Sequence, residues 1–386
     1  MRKLFFTALV LISAFTSFAA DKGLKVGAEC SDEYVPLLRG KSIALLSNQS
    51  GIVPDGRHTL DIMLECGLDV VRIFSPEHGF RGTADAGEKV GSSVDEKTGI
   101  PIVSLYGGKD SVDLSDVDIV VTDIQDVGLR FYTYYVTMLK MMDKAIEQGK
   151  EFMVLDRPNP NGMYVDGPIL DMNYKSGVGW IPIPVVHGLT MGEIALMAEG
   201  EGWLKDSGEL PLLHVVKCRG YTHQTRYTLP VRPSPNLPDM KAVYLYPSLC
   251  YFEATPVSVG RGTPTPFHMY GHPEMDGDFE FTPVSMFGAR DPIQKDRLCH
   301  GRDLTSLEDE EIIAKGINLE YLIDAYNQIG KDNPDFFRNS FERLIGRGDI
   351  RSMIEEGRSP DEIKATWADD VERFKVLRRR YLLYEE

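Results

Sequence analysis

Only five cysteines occur in 386 residues, scattered at Cys30, Cys66, Cys218, Cys250 and Cys299 with no C-x-x-C pair. That excludes a thiol redox motif and a disulfide-built scaffold. An odd number cannot all pair within one chain, so buried thiols are expected, with room for one disulfide in an oxidising compartment. Phosphate-binding loops are missing too. The first predicted strand leads into Ser47-Asn48-Gln49-Ser50-Gly51 rather than G-x-G-x-x-G, and no G-x-x-x-x-G-K-[ST] occurs anywhere. A dinucleotide or ATP enzyme is therefore disfavoured. There is no G-x-S-x-G elbow, and Ser75 precedes a proline rather than opening a helix, which leaves a serine hydrolase unsupported.

Basic runs are absent as well. The chain carries 42 basic against 58 acidic residues, a net charge of −16, which argues against nucleic acid or an anionic membrane as partner. Metal-ligand spacing is weak. His268 and His272 stand four apart, but Pro264, Pro266, Gly271 and Pro273 oppose the helix that would bring them together. His58, His78, His187, His214, His223 and His300 show no ligand spacing. No catalytic metal is expected, and a metal-dependent hydrolase is kept only as an alternative.

Residues 1–20 have a basic start (Arg2, Lys3), an apolar stretch from Leu4 to Phe18 and small residues at Ser17, Ala19 and Ala20. This is the layout of a cleavable secretory signal, so the segment is expected to be removed and the product to be periplasmic or secreted. The apolar stretch is shorter than the roughly 20 residues a spanning helix needs, and no later segment comes close, so no membrane span is expected.

From Ser42 onward short apolar runs alternate with amphipathic stretches, the signature of βα units feeding a mostly parallel sheet. Strands are predicted over Ser42 to Leu46, Val70 to Phe74, Pro101 to Leu105, Asp118 to Asp123 and Phe152 to Asp156. Helices are predicted over Thr59 to Cys66 and Tyr134 to Gln148, closed by Gly67 and Gly149. Beyond about Pro182 the texture changes to Pro-rich and Gly-rich segments, which read as long ordered loops. The fold class is α/β, with a Rossmann-like, mostly parallel N-terminal domain over 21–185 and a second domain over 186–386. The amphipathic tail from Asp361 to Tyr384 reads as a closing helix.

In an open α/β sheet, ligands bind beyond the carboxyl ends of the strands. Here those ends are polar although the strand bodies are apolar. They carry Asn48 and Gln49, then Glu77, His78 and Arg81, then Tyr106, then Asp123, Gln125, Asp126, Arg130 and Tyr132, and finally Asp156, Arg157 and Asn159. Glu77, flanked by Phe74, Pro76 and Phe80, is the leading acid/base candidate, because apolar surroundings raise a carboxyl pKa. His78 is a candidate proton carrier. Glycoside hydrolysis commonly needs a second carboxylate, for which Asp123 and Asp126 are candidates, unless the substrate's own acetamido group acts as nucleophile. Arg81, Arg130, Arg157 and Arg261 are candidates to hold an acidic substrate group, although a structural ion pair is the commoner role of any one of them.

The runs Phe74-Ser75-Pro76-Glu77-His78-Gly79-Phe80-Arg81-Gly82, Asp123-Ile124-Gln125-Asp126-Val127-Gly128-Leu129-Arg130-Phe131-Tyr132-Thr133-Tyr134 and Leu155-Asp156-Arg157-Pro158-Asn159-Pro160 resemble the exo-β-N-acetylmuramidase family. So do His187-Gly188-Leu189-Thr190, Pro233-Ser234-Pro235-Asn236 and Ser258-Val259-Gly260-Arg261-Gly262-Thr263. The resemblance implies a smaller α+β C-terminal domain and a cleft between the two domains. It also implies a hydrolase of cell-wall turnover or recycling, removing N-acetylmuramic acid from the non-reducing end of peptidoglycan fragments such as MurNAc-GlcNAc. Glu77 would be its catalytic residue, with neither metal nor organic cofactor. His187, Asn236 and Arg261 join the expected substrate-binding set on the strength of these runs. There are two departures. Glu253-Ala254-Thr255-Pro256 replaces the family's E-G-T-N, and Leu229 to Arg232 lacks the tryptophan often found before P-S-P-N. The other reading is a protein that captures such a fragment without cleaving it.

Overall fold

The structure is a computed structural model and describes residues 23–76, 80, 93–105, 112–204 and 211–386. Its first sheet comprises β1 (Ser42–Ser47), β2 (Asp69–Ser75), β3 (Ser93–Val94), β4 (Pro101–Ser104), β5 (Ile119–Asp123), β6 (Glu151–Leu155) and β7 (Leu213–Val216). The strand order is β3-β4-β2-β1-β5-β6-β7, parallel throughout except for the edge strand β3. The five strands expected from sequence are present within a residue or two of their predicted ends. β7 follows the division expected near residue 185 and still pairs with β6.

Both faces of this sheet are buried, which is why its strands read as continuous apolar runs. Ala44, Leu46, Val120, Phe152 and Val154 face one core, while Ile43, Leu45, Val121, Met153 and Leu155 face the other. Helices α1 (Ser31–Leu38) and α2 (Thr59–Glu65) contribute to the second core. Helices α3 (Tyr134–Glu147) and α4 (Met191–Gly200) contribute to the first.

The C-terminal part is α+β. It holds α5 (Met240–Leu249), a three-stranded antiparallel sheet of β8 (Met269–His272), β9 (Phe279–Phe281) and β10 (Cys299–Asp303) in the order β8-β10-β9, and α6 (Asp309–Lys315). Then follow α7 (Glu320–Ala325), α8 (Phe341–Ile345), α9 (Ile350–Glu355) and α10 (Pro360–Arg378). α10 starts on a Ser359–Glu362 capping box with Pro360 in its first turn. It stops at Arg378, so residues 379–386 do not continue the closing helix that their apolar spacing suggests. Among the described residues no helix is long and apolar enough to cross a membrane. Residues 1–20, the expected leader, lie outside the described residues.

Candidate functional site

The chain leaves β1 for β2 and β4 on one side and returns to the other side of β1 through β5. The loops after β1 and β5 therefore diverge, and such a switch point is where open α/β sheets bind ligands. Serines tie the two strand ends together. Ser47 Oγ donates to the Asp123 carbonyl at 2.7 Å. Ser50 Oγ donates to Asn48 Oδ1 at 2.5 Å and accepts from the Gln125 amide at 2.9 Å. Gln125 Nε2 donates to the carbonyls of Asp126 and Pro158, both at 2.8 Å. After this bonding Asn48 Nδ2, Gln49 Oε1 and Gln125 Oε1 remain, among the described residues, without a partner at the switch point. Unpaired buried polar atoms are costly and call for a specific explanation such as a functional role.

Three buried carboxylates stand at the ends of β5 and β6. Asp123 is fully buried and receives Arg157 Nε and the Thr59 hydroxyl, with Arg157 Nη2 at 2.9 Å. Both its oxygens are occupied, so this side chain orders the strand end. Asp126 accepts from the amides of Gly128 at 2.8 Å and Tyr135 at 3.2 Å, and so caps α3. Burial nevertheless pushes its pKa up to about 7, outweighing those amides. A cavity of about 10 Å³ lies beside it, lined by Asn159, His187 and Ile194 among others. Asp156 accepts from Thr190 Oγ1 and the Tyr384 hydroxyl, each at 2.7 Å, and from the Gly192 amide at 2.8 Å. Burial raises its pKa to about 6.

His187 is buried, and its Nδ1 accepts from the Leu189 amide at 3.1 Å, which leaves Nε2 carrying the proton and, among the described residues, without a partner. Burial, reinforced by Arg378 and Arg130, lowers its pKa to about 3, so the ring is neutral at physiological pH. Asn159 Nδ2 donates to the Leu189 carbonyl at 2.8 Å, and its Oδ1 accepts from the Asn161 amide at 2.8 Å. Asn159 thereby joins the loop after β6 to the start of α4.

Three of the four arginines expected to read an acidic substrate, Arg130, Arg157 and Arg261, are engaged within the protein. Arg157 is the buried partner of Asp123, and its Nη1 donates to the Ile52 carbonyl at 3.0 Å. Arg130 is fully buried and donates to the backbone carbonyls of Pro168, Ile183, Leu344 and Ile345. It thus satisfies the last carbonyls of α8, a favourable place for a cation, and is sealed from any ligand. Burial lowers its pKa to about 10, so it stays charged at neutral pH. Arg261 is half-buried and pairs with Glu253 through Nε at 2.8 Å and through Nη2. Its guanidinium lies 5.3 Å from the Phe267 ring centre. Phe267 itself has φ +63°, a strained backbone for a bulky residue.

Tyr132 donates to the Pro233 carbonyl at 2.6 Å, and Asn236 Nδ2 donates to the Gly288 carbonyl at 2.7 Å. The first of these bonds brings the P-S-P-N loop to the segment after β5. His268 precedes β8 and His272 ends it, so an extended strand separates them, and among the described residues no group of three histidine, cysteine or acidic side chains could hold a metal. All five cysteines are unpaired thiols, four of them buried and Cys66 exposed.

Glu77, His78, Arg81 and Tyr106 lie outside the described residues. The neighbours of Glu77 in sequence are described: Phe74, Ser75 and Pro76 are buried at the end of β2. Phe80 is buried edge-on against His58, ring centres 4.8 Å apart. Sequence reasoning misses Ser50, Thr59 and Tyr384. The first two belong to no motif, and Tyr384 hides in the apolar spacing of the tail. A groove of about 660 Å³ elsewhere is lined by Tyr174, Arg347, Asp349, Arg373 and Phe374 among others, but by no strand-end residue. Within it Arg347 pairs with Asp349 and Arg373 with Asp370.

The likeness to known proteins runs along the chain. Family models for the exo-β-N-acetylmuramidase NamZ match here, the N-terminal model over residues 43–241 and the C-terminal model over 244–384. The peptidoglycan β-N-acetylmuramidase NamZ of Bacillus subtilis (strain 168) is 37% identical over 373 residues, 91% of this chain and 89% of that protein. A crystal structure of a DUF1343 family protein from Bacteroides fragilis NCTC 9343 is 55% identical with a TM-score of 0.88, covering 94% of this chain and 99% of that one. A second DUF1343 protein from the same organism is 28% identical with a TM-score of 0.80 over the same shares.

Proposed function

The chain belongs to the exo-β-N-acetylmuramidase family, and from that membership we propose that it is an exo-acting glycoside hydrolase releasing terminal N-acetylmuramic acid from the non-reducing end of peptidoglycan fragments. The observation that carries this reading is the near full-length likeness to the Bacillus subtilis enzyme. The meeting of the polar ends of β1, β5 and β6 at the switch point, where open α/β sheets bind ligands, supports it.

In this reading Glu77, two residues beyond the end of β2, protonates the glycosidic oxygen as its bond to the anomeric carbon breaks, and water finally adds to that carbon. With Asp123 committed to Arg157, Asp126 is the remaining candidate for the second carboxyl role, orienting the acetamido group or assisting water. With Arg130, Arg157 and Arg261 engaged elsewhere, Arg81 is the candidate to hold the lactyl carboxylate. The leader-like residues 1–20 support an exported product, acting in the periplasm or the medium.

The test is to supply MurNAc-GlcNAc and GlcNAc-MurNAc separately and follow the products by mass spectrometry. Cleavage of the first alone is expected. Cleavage of neither, with thermal stabilisation by the first, would make the protein a binder instead.

A further inference from the structure

The end of the chain is fastened to the sheet domain at several points. Arg378 Nη1 donates to the Gly188 carbonyl at 2.6 Å and Nη2 to Glu386 at 2.6 Å. The Leu383 amide donates to Glu193 Oε1 at 2.8 Å, and the His223 amide donates to the Glu385 carbonyl at 2.8 Å. Between these anchors Tyr384 turns its hydroxyl inward. It accepts there from the Cys218 amide at 2.9 Å and donates to Asp156 Oδ2 at 2.7 Å. Its ring packs edge-on against Tyr221, centres 4.9 Å apart.

Asp156 is the first residue beyond β6, and its other bonds lead to the polar strand ends. It holds the Arg157 amide at 3.0 Å, and the Arg157 guanidinium grips Asp123 at the end of β5 and the Ile52 carbonyl in the loop after β1. On the far side Asp156 holds Thr190 and Gly192 at the start of α4. One hydroxyl from the C-terminus therefore completes a chain of bonds across the ends of β1, β5 and β6.

We propose that Tyr384 is a positioning residue: its hydroxyl fixes the Asp156 carboxylate and, through Asp156 and Arg157, the strand ends that bear the candidate site. Its kinetic consequence, and that alone, rests on the muramidase reading. The groups facing Asp156 are Arg157 on its own segment, Thr190 and Glu193 of α4 and its cap, Cys218 after β7, Tyr221, and Tyr384 itself. Burial raises the carboxyl pKa, the hydrogen bonds from Tyr384, Thr190 and Gly192 hold it down, and Glu193 adds a smaller upward push. Losing the hydroxyl therefore moves it upward, and Asp156 keeps its charge only at higher pH.

The variant to make is Tyr384→Phe in the full chain, which keeps the packed ring and removes one hydroxyl. On MurNAc-GlcNAc, kcat should fall about tenfold with KM nearly unchanged, and the acid limb of the pH profile should move to higher pH. Unchanged kcat and acid limb would overturn the proposal. A second measurement needs no substrate. The Tm difference between wild type and Tyr384→Phe should be larger at pH 8, where Asp156 is charged, than at pH 5. The same difference at both would show a merely structural contact and overturn the proposal too. Should the wild type cleave nothing, the muramidase reading fails by itself, and the Tm comparison still decides whether Tyr384 holds Asp156.

Discussion

Asp123, Asp126 and Asp156 are all buried, yet each offsets the cost of burial differently. Asp123 has a full counter-charge in Arg157, and removing one member of such a pair strands the other in the interior. Asp123→Asn should therefore cost ~3–5 kcal/mol in urea unfolding, and a loss below about 1 kcal/mol would contradict a structural role for the pair. Asp126 has backbone amides alone, and its pKa of about 7 lies above the ordinary 3.8. The folded protein holds that proton more tightly than the unfolded chain does. Its contribution to stability is thus full below about pH 4 and is lost as the pH rises towards 7. Asp126→Asn removes the titration, so the stability of the wild type relative to this variant should decline from pH 4 to pH 7 and then level off. A difference independent of pH in chemical denaturation would contradict the assignment. At this scale the sequence reveals which residue types crowd the strand ends, and not which of them turn inward. An arginine that reads a substrate carboxylate and one that pairs with Asp123 are spelled alike. Contacts remote in sequence, Thr59 and Ile52 for the Asp123–Arg157 pair and Leu344 and Ile345 for Arg130, make the distinction.

Among the elements, α4 is where the site, the tail and the sheet meet. Thr190 caps it, accepting from the Glu193 amide at 3.3 Å while Glu193 reaches back to the Thr190 amide at 2.8 Å. The same hydroxyl donates to Asp156. Thr190→Ala should cost ~1–2 kcal/mol, with Thr190→Ser recovering most of it, and equal losses for both in urea unfolding would show that the methyl group rather than the cap matters. The loop after β5 is equally specified. Gly128 has φ +79°, and a Cβ there would overlap the Asn159 side chain, so glycine is what lets this loop pack on the next one. β1, β5 and β6 are legible because burial on two faces leaves continuous apolar runs. β7 is not, since Leu213-His214-Val215-Val216 is short and interrupted by a histidine at the edge of the sheet. The tail misleads for a related reason. No proline or glycine follows Arg378 to mark the helix end, and tertiary bonds to Gly188, Glu193 and Asp156 pull the chain out of the helix against its local spacing.

For the whole molecule, the N-terminal sheet and the α+β part share apolar core. One cluster runs from Ala44 and Phe152 in the sheet, through Phe131 and Tyr246, to Trp367 and Phe374 of α10. Arg130 and the C-terminal segment add polar bonds between the same halves. The change in texture near Pro182 marks a change of architecture, while the packing continues across it. Calorimetry should therefore give a single cooperative transition, and two resolved transitions would contradict the shared core. The fold class and the polar strand ends are legible in the sequence, as is the family through its long motifs. The tie between the C-terminus and the strand ends is not, because it joins Tyr384 to Asp156 across most of the chain.

The most direct measurement is the rate at which GlcNAc is released from MurNAc-GlcNAc by the wild type and by Glu77→Gln, with thermal unfolding to check that the variant is folded. Release by the wild type is expected, with a fall of about a hundredfold or more in Glu77→Gln at unchanged Tm. A folded Glu77→Gln that cleaves at the wild-type rate would contradict the role given to this carboxyl group.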